Sequence, residues 1–515
     1  MNKFKSRLSS VKSFFKGFTA KDAVLSFQHM FAMLGATITV PLVVGMSIPL
    51  ALFSAGVGTI IFFFLTQRKV PVFLGSSFAF MPGLITIFSQ FGKDPNQTQY
   101  NTMALTAMLA LVAAGLVYVV FSFLIKKVGV KKVKKLFPPI VVGPVIIIIG
   151  MNLAGSIFWN DIVANYVVYG SVAWKQWTTA LITALTIILI NAFARPKSFM
   201  KIIPILFGFV VGYAYSAIIG LVHIDFSNDV IIFQQAKQVW GFWGAWNGLT
   251  GALIGTAMLS IVPIALVTFM EHLGDISANS VVCGKDFMVD PGLHRTVLGD
   301  GVATVVSGML GGPANTTYGE NTAVLAITGN YSPRNVFVAA CYAVLLGLIV
   351  PFGEILSSIP SAVVGGACIV LFGMISANGL RALVDGKVDF GDSKNMLVVS
   401  VTLSVGLGLG AVSLGGDIVS AMSNYGINGN LVKVGFGTDV GGFVEVSALA
   451  ISTVLAVVLN LIIPNKKLVT EEEMEASDKA SVSLVANVMD EDVLEHRDSP
   501  EEVAEKTAKA KNIEE

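Results

Sequence analysis

Apolar stretches long enough to cross a bilayer recur about fourteen times between residues 23 and 465, and no other feature limits this chain as severely. A helix rises roughly 1.5 Å per residue, so about 20 apolar residues cover the ~30 Å of hydrocarbon. A segment inside that layer must satisfy its own backbone N–H and C=O groups, which makes helices the natural building material. Composition agrees, with 54% of residues hydrophobic, 13% charged and a mean hydropathy of +0.75, well outside the range of water-soluble domains. The expectation is an all-α integral membrane protein with 14 transmembrane segments.

Charge placement tests that count. Lys and Arg concentrate on the cytoplasmic side of short loops. With the N-terminus inside, only Lys93, Lys175, Lys237 and Lys433 of the 34 basic residues fall on the outer side. Both termini are therefore expected in the cytoplasm. The run "KKVGVKKVKK" (126–135) reads as a topology-fixing loop, and the basic segment 1–22 reads likewise. That segment lacks a continuous apolar core, so the first span is expected to act as its own insertion signal. The outer loop 223–249 holds Trp240, Trp243 and Trp246, which read as interfacial anchors. After Pro464 the composition turns acidic, with fifteen Asp and Glu, and 466–515 is expected to be a cytoplasmic tail. Cys283, Cys341 and Cys368 have no paired spacing; free thiols are expected, with neither a metal site nor a cofactor.

Fourteen spans divide into two sevens, and a repeat with an odd span number has its copies in opposite orientation. Segments near 80, 302 and 323 are weak as plain spans, being short or interrupted by Gly, Pro and polar residues. Two of them stand at matching positions: "VPVFLGSSFAFMPG" (70–83) in span three and "GGPANTTYGENTAVL" (311–325) in span ten. Gln28 precedes Gly75 by 47 residues, as Glu271 precedes Tyr318. Extended pieces followed by half-helices are expected in both, meeting near the midplane. Irregular backbone at that depth persists only where protein buries it or it lines a cavity, so a substrate site belongs there.

Polar residues converge on that position. Glu271 and Asp275 lie four residues apart, on one helical face, and two carboxylates in a low-dielectric cavity would retain or share a proton. His272 points about 100° away and reads as a packing residue. Glu320 stands with no Lys or Arg between Arg295 and Arg334. Gln28 and His29 in span one read as substrate contacts or supports for the acids, and Asn321 as the group that orients Glu320. The hydroxyls of Ser76, Ser77, Thr316 and Thr317 are expected to satisfy strand backbone.

The stretches "FQHMFAMLGATITVPLVVG" (27–45), "GSSFAF" (75–80), "EHLGDI" (271–276), "GLHRTVLGDGVATVVSGMLGGP" (292–313) and "NTTYGENTAVLAIT" (315–328) together resemble the nucleobase/ascorbate transporter family, closest to its bacterial uracil permease branch. The resemblance implies a core domain of residues 23–130 and 250–353 (spans one to four and eight to eleven). It implies a gate domain of 131–222 and 354–465 (spans five to seven and twelve to fourteen). Carried over, Glu271 and Glu320 bind the base, Phe78 in the span-three strand meets it, and Gly319 supplies a backbone contact. Glu271 and Asp275 would serve proton coupling, with Gln28, His29, Ser77 and Asn321 behind them. Three departures from the family pattern bear on specificity: Asp275 in place of His, Ala323 in place of Gly and Gly329 in place of Arg.

The function so implied is proton-coupled uptake of a nucleobase, uracil first, across a bacterial inner membrane. Its partners are that base and the bilayer, with no nucleic acid, and a homodimer through the gate domain is permitted. A purine (xanthine or urate) permease of the same fold is the alternative. An anion transporter is disfavoured because acids at the site repel an anion. A channel is disfavoured by broken helices at repeat-related positions. An enzyme would need a nucleophile and base or a metal cluster, and five scattered His offer neither.

Overall fold

The computed structural model describes residues 18–88, 96–129, 132, 137–157, 173–195, 198–224, 229–235, 240–411, 427–428, 431–435 and 443–464. The acidic tail lies outside them. In chain order come helices α1 (Ala20–Val44) and α2 (Ile48–Leu65), strand β1 (Leu74–Ser76), a 3-10 turn (Phe78–Phe80) and α3 (Met81–Phe88). Next are α4 (Gln97–Val128), α5 (Pro139–Ile157), α6 (Ala173–Phe193) and α7 (Pro204–Ile218). A 3-10 segment (Gly241–Gly248) leads to α8 (Gly251–Ile261), α9 (Ile264–Cys283), α10 (Leu293–Leu310), β2 (Asn315–Thr317) and α11 (Gly319–Thr328). The rest comprises α12 (Pro333–Leu348), α13 (Val350–Ser357), α14 (Ser361–Asp385), α15 (Ser393–Ala411), β3 (Ile427–Asn428), β4 (Leu431–Gly435), β5 (Phe443–Ser447) and α16 (Ala448–Ile462).

Six helical segments are long and apolar enough to cross a membrane: α1, α2, α4, α6, the α8–α9 pair and α14. Local signals set their ends. At the start of α1 the Thr19 hydroxyl accepts from the Asp22 N–H while the Asp22 carboxylate accepts from the Thr19 N–H at 2.8 Å, and Asn96 with Gln99 repeats this reciprocal cap at α4. Helix α1 closes at Gly45, whose φ of 83° suits glycine.

The two short strands form the centre of the fold. β1 and β2 pair antiparallel with Leu74 opposite Thr317, Gly75 opposite Thr316 and Ser76 opposite Asn315, and all six residues are buried. The ladder is extended by Ser77 N–H to Ala314 O (2.9 Å) and Tyr318 N–H to Phe73 O (3.2 Å). Helix α2 supports β1, because Thr59 Oγ1 accepts from the Leu74 N–H at 2.9 Å and lies 3.2 Å from its carbonyl. Helix α10 supports β2, with the Thr304 hydroxyl donating to Asn315 O at 2.8 Å and that of Ser307 to Pro313 O. Gly75 is required here, since a Cβ on it would stand 2.4 Å from the Tyr318 ring.

Close helix pairs enclose this centre. Helices α4 and α10 meet at Gly115 and Gly301, where a Cβ on either would fall within 3 Å of the opposing helix; small residues permit such approach between apolar helices. Helix α2 packs along α12, α5 along α14, and α6 against both α7 and α14.

Four expectations need correction. The segment near 302 is an unbroken 18-residue helix, α10, because its polar residues face β2 and α9 rather than lipid. Span eight is interrupted instead, at Val262–Pro263, where proline cannot donate a backbone hydrogen bond. An antiparallel sheet, β3-β4-β5, precedes α16, so broken-strand pieces are not confined to spans three and ten. Helix α13 also runs across the boundary drawn at 353/354. Trp240 does more than anchor: its indole N–H donates to Leu310 O (3.0 Å), closing the end of α10.

Candidate functional site

The sharpest polar junction lies where α9 passes β2 and the start of α11. The Thr317 hydroxyl donates to Asp275 Oδ2 at 2.7 Å. Gly319, first residue of α11, presents its backbone to the other oxygen, a Cβ there lying 3.6 Å from Asp275 Oδ1. Asp275 is therefore a partner of the broken segment. Glu271 stands half-buried one turn earlier on the same face of α9, as its spacing requires. Glu320 is second in α11, where the free N–H groups and positive end of a helix favour an acid; its side chain lies outside the described residues. Across α9, α10, β2 and α11 the only Lys or Arg is Arg295, in the first turn of α10.

The β1 side is built differently. Phe78 is not in the strand, as the resemblance had it; it opens the 3-10 turn, because the ladder ends at Ser76 and Ser77 N–H makes the last bond. Its half-buried ring meets Phe372 of α14 edge to face, centroids 5.7 Å apart at 86°. The hydroxyls of Ser76 and Ser77 are buried without a hydrogen-bond partner, so they do not satisfy strand backbone. Thr317 departs from that expectation too, since its hydroxyl serves Asp275. Gln28 Oε1 is likewise buried and unpartnered, which keeps these three side chains available to a ligand.

His29 is wholly buried and joins α1 to α11. Its carbonyl accepts from Asn321 Nδ2 at 3.1 Å, and its Nδ1 lies 3.3 Å from the same nitrogen. Asn321 was expected to orient Glu320; its amide N–H instead ties α11 to α1, and its Oδ1 is left without a partner.

Sequence reading missed Asp300. It is fully buried, its Oδ2 lying 2.8 Å from His272 Nδ1, while His272 Nε2 lies 3.0 Å from Thr296 Oγ1. His272 does pack, as expected, but through two polar bonds. The usable signal was the spacing of Thr296, Asp300, Thr304 and Ser307, which puts four polar residues on one face of α10. Tyr318 was also missed; its hydroxyl donates to Ser76 O at 2.7 Å and locks the strands.

Strands buried between helices, each running into a short helix with acids at the junction, are the architecture of a membrane transport protein. Solved structures share the fold. The transmembrane domain of a cyanobacterium bicarbonate transporter, BicA, aligns with a TM-score of 0.54 at 16% identity, covering 76% of this chain and 96% of that one. The overall structure of SLC26A9 aligns with a TM-score of 0.56 at 15% identity, covering 86% and 72%.

The permease family model Xan_ur_permease matches residues 20–414, and the chain belongs to that family. It is a multi-pass membrane transporter rather than an enzyme. Its relatives include the uracil permease of Bacillus caldolyticus, 37% identical over 459 residues, covering 89% of this chain and 96% of the relative. The uracil permease of Bacillus subtilis is 36% identical over 458 residues (88% and 94%). The putative pyrimidine permease of Escherichia coli is 37% identical over 404 residues (77% and 85%).

Proposed function

We propose that this permease takes up a nucleobase, uracil first, together with protons. The observation that carries this reading is the convergence of Glu271, Asp275 and the Glu320 position on the start of α11, beside unpartnered buried polar atoms of Gln28, Ser76 and Ser77. Uracil presents two N–H donors and two carbonyl acceptors. Two carboxyl groups answer the donors, and backbone N–H groups at the starts of α3 and α11 answer the carbonyls. Phe78 packs on the ring.

The architecture behind this is fourteen spans in two inverted sevens. Its support is the symmetry of the packing. Exchanging each span with its counterpart turns the α2–α12 pair into α10–α4, the α6–α14 pair into α15–α5, and the α6–α7 pair into α15–α16, and all six contacts occur. Spans one to four and eight to eleven form the core; five to seven and twelve to fourteen form the gate. Both termini are placed in the cytoplasm of a bacterial cell on the distribution of Lys and Arg. A homodimer is assigned to the outer gate surface, where Leu181, Leu185, Ile188 and Leu189 of α6 stand exposed.

Protonation of Glu271, shared with Asp275, neutralises the site, the base binds across Glu271 and Glu320, and the core moves against the gate. Deprotonation toward the cytoplasm weakens binding. The test is binding of labelled uracil to the purified protein from about pH 5 to about pH 9, with Glu320→Ala and with xanthine as competitor. Saturable binding that weakens as pH rises and is lost in the variant is expected. Retained xanthine binding without uracil binding would make this a purine permease.

A further inference from the structure

The His272–Asp300 pair is enclosed between α9 and α10, with 0% of either side chain exposed. Its protons can be counted. Thr296 has one hydroxyl proton and gives it to Leu293 O at 3.0 Å, so His272 Nε2 is the donor toward Thr296. One further proton lies between Nδ1 and Asp300 Oδ2. On either atom it leaves the pair neutral overall, which avoids an isolated charge at this depth.

The same face of α10 carries β2. Thr304 holds Asn315 O, Ser307 holds Pro313 O, and the Thr317 backbone N–H acts on the Asp300 carboxylate. Thr317 is thus held through its backbone from the Asp300 side, while its hydroxyl reaches Asp275 on α9. Helix α9 meets this strand twice, once through His272 and Asp300 and once through Asp275.

We infer that His272 and Asp300 are positioning residues that hold the Thr317 hydroxyl on Asp275 and so set how readily that carboxylate takes up a proton. The inference rests on the proton-linked reading above. A hydroxyl donated to a carboxylate favours its ionised form, so losing the bond lets the acid keep its proton to higher pH. The titratable groups facing this network are Tyr118 of α4 and Glu271 and Asp275 of α9. Glu320 opens α11, and His294 and Arg295 stand in the first turn of α10, with Asp290 just before it. Helices α2, α5 and α16 contribute none.

The experiment is the pH midpoint of labelled-uracil binding by the full-length protein, for the wild type, His272→Leu, Thr317→Val and the double variant. Each single change is expected to move the midpoint upward by about one unit, and the double variant no further, because both act on one hydrogen bond. His272→Gln keeps one donor, is expected to move it less, and stands in for His272→Leu where that variant does not fold. A wild-type midpoint in the His272 variants, even with a lower melting temperature, would overturn the inference, as would additive shifts. A wild type that binds uracil equally at every pH overturns it while leaving nucleobase binding intact. A wild type that does not bind uracil overturns the functional reading itself, and this inference with it.

Discussion

The β1 arm and the β2 arm each run from a three-residue strand into a short helix, yet their side chains do different work. Around β2, Thr317 bonds Asp275, Asn321 bonds His29, and α10 holds the strand backbone. Around β1, Ser76 and Ser77 keep unpartnered hydroxyls and Phe78 leans on Phe372 of α14. One arm is tied into the interior by polar bonds, and the other touches a neighbouring helix through an aromatic edge. A repeated backbone has thus been given two tasks: the β2 arm holds the ligand and its proton, and the β1 arm passes its presence to α14.

The comparison can be broken at its strongest point first. Glu271→Gln is expected to cut proton-coupled uptake by about 100-fold, the equivalent of losing a charged hydrogen bond of up to ~3 kcal/mol; uptake that stays pH-dependent and undiminished would take Glu271 out of the mechanism. Next comes the strand crossing that both arms share. Gly75→Ala places a Cβ 2.4 Å from the Tyr318 ring, and overpacking of about 1–3 kcal/mol should appear as a lower melting temperature together with weaker uracil binding.

Asn321→Ala probes the β2 arm alone. Freeing the buried His29 carbonyl should cost about 1–3 kcal/mol of stability by thermal or denaturant unfolding. An unchanged stability would mean that α11 does not depend on α1. On the β1 arm, Phe372→Ala removes an edge-to-face pair worth about 0.5–1.5 kcal/mol. Initial-rate measurements should show transport slowed about fivefold with uracil affinity within about twofold. A pure affinity loss would place Phe372 at the ligand and erase the division between the arms. The smallest effect belongs to Ser77→Ala, whose hydroxyl has no protein partner. Affinity should change by less than about threefold in equilibrium binding; a larger loss would give the β1 arm a share of the base.

Much of the site was legible because transmembrane sequence makes polar residues conspicuous. "GSSFAF" and "NTTYGEN" stood out against Leu and Val, and the four-residue spacing put Glu271 and Asp275 on one face. The errors share a cause. Polar residues of α10 looked like an interruption because the sequence does not say that this helix faces protein all along one side. Ser77 and Asn321 were given neighbours by adjacency in the chain, whereas their surroundings come from α1, β2 and α11. Phe78 was placed in a strand because a run of six residues cannot show where a three-residue ladder stops.

By itself the sequence determined that the chain belongs in a membrane, that two of its apolar stretches are broken, and that acids lie beside the breaks. Those properties follow from composition and from periodicity along one helix, which are local quantities. Only the tertiary structure decided that β1 pairs with β2, that the Tyr318 hydroxyl locks onto Ser76 242 residues away, that Thr317 turns to Asp275, and that His272 and Asp300 share a proton. Each of these is a hydrogen bond between segments far apart in the chain. A helical face specifies which side chains point together, but not which neighbour they will find.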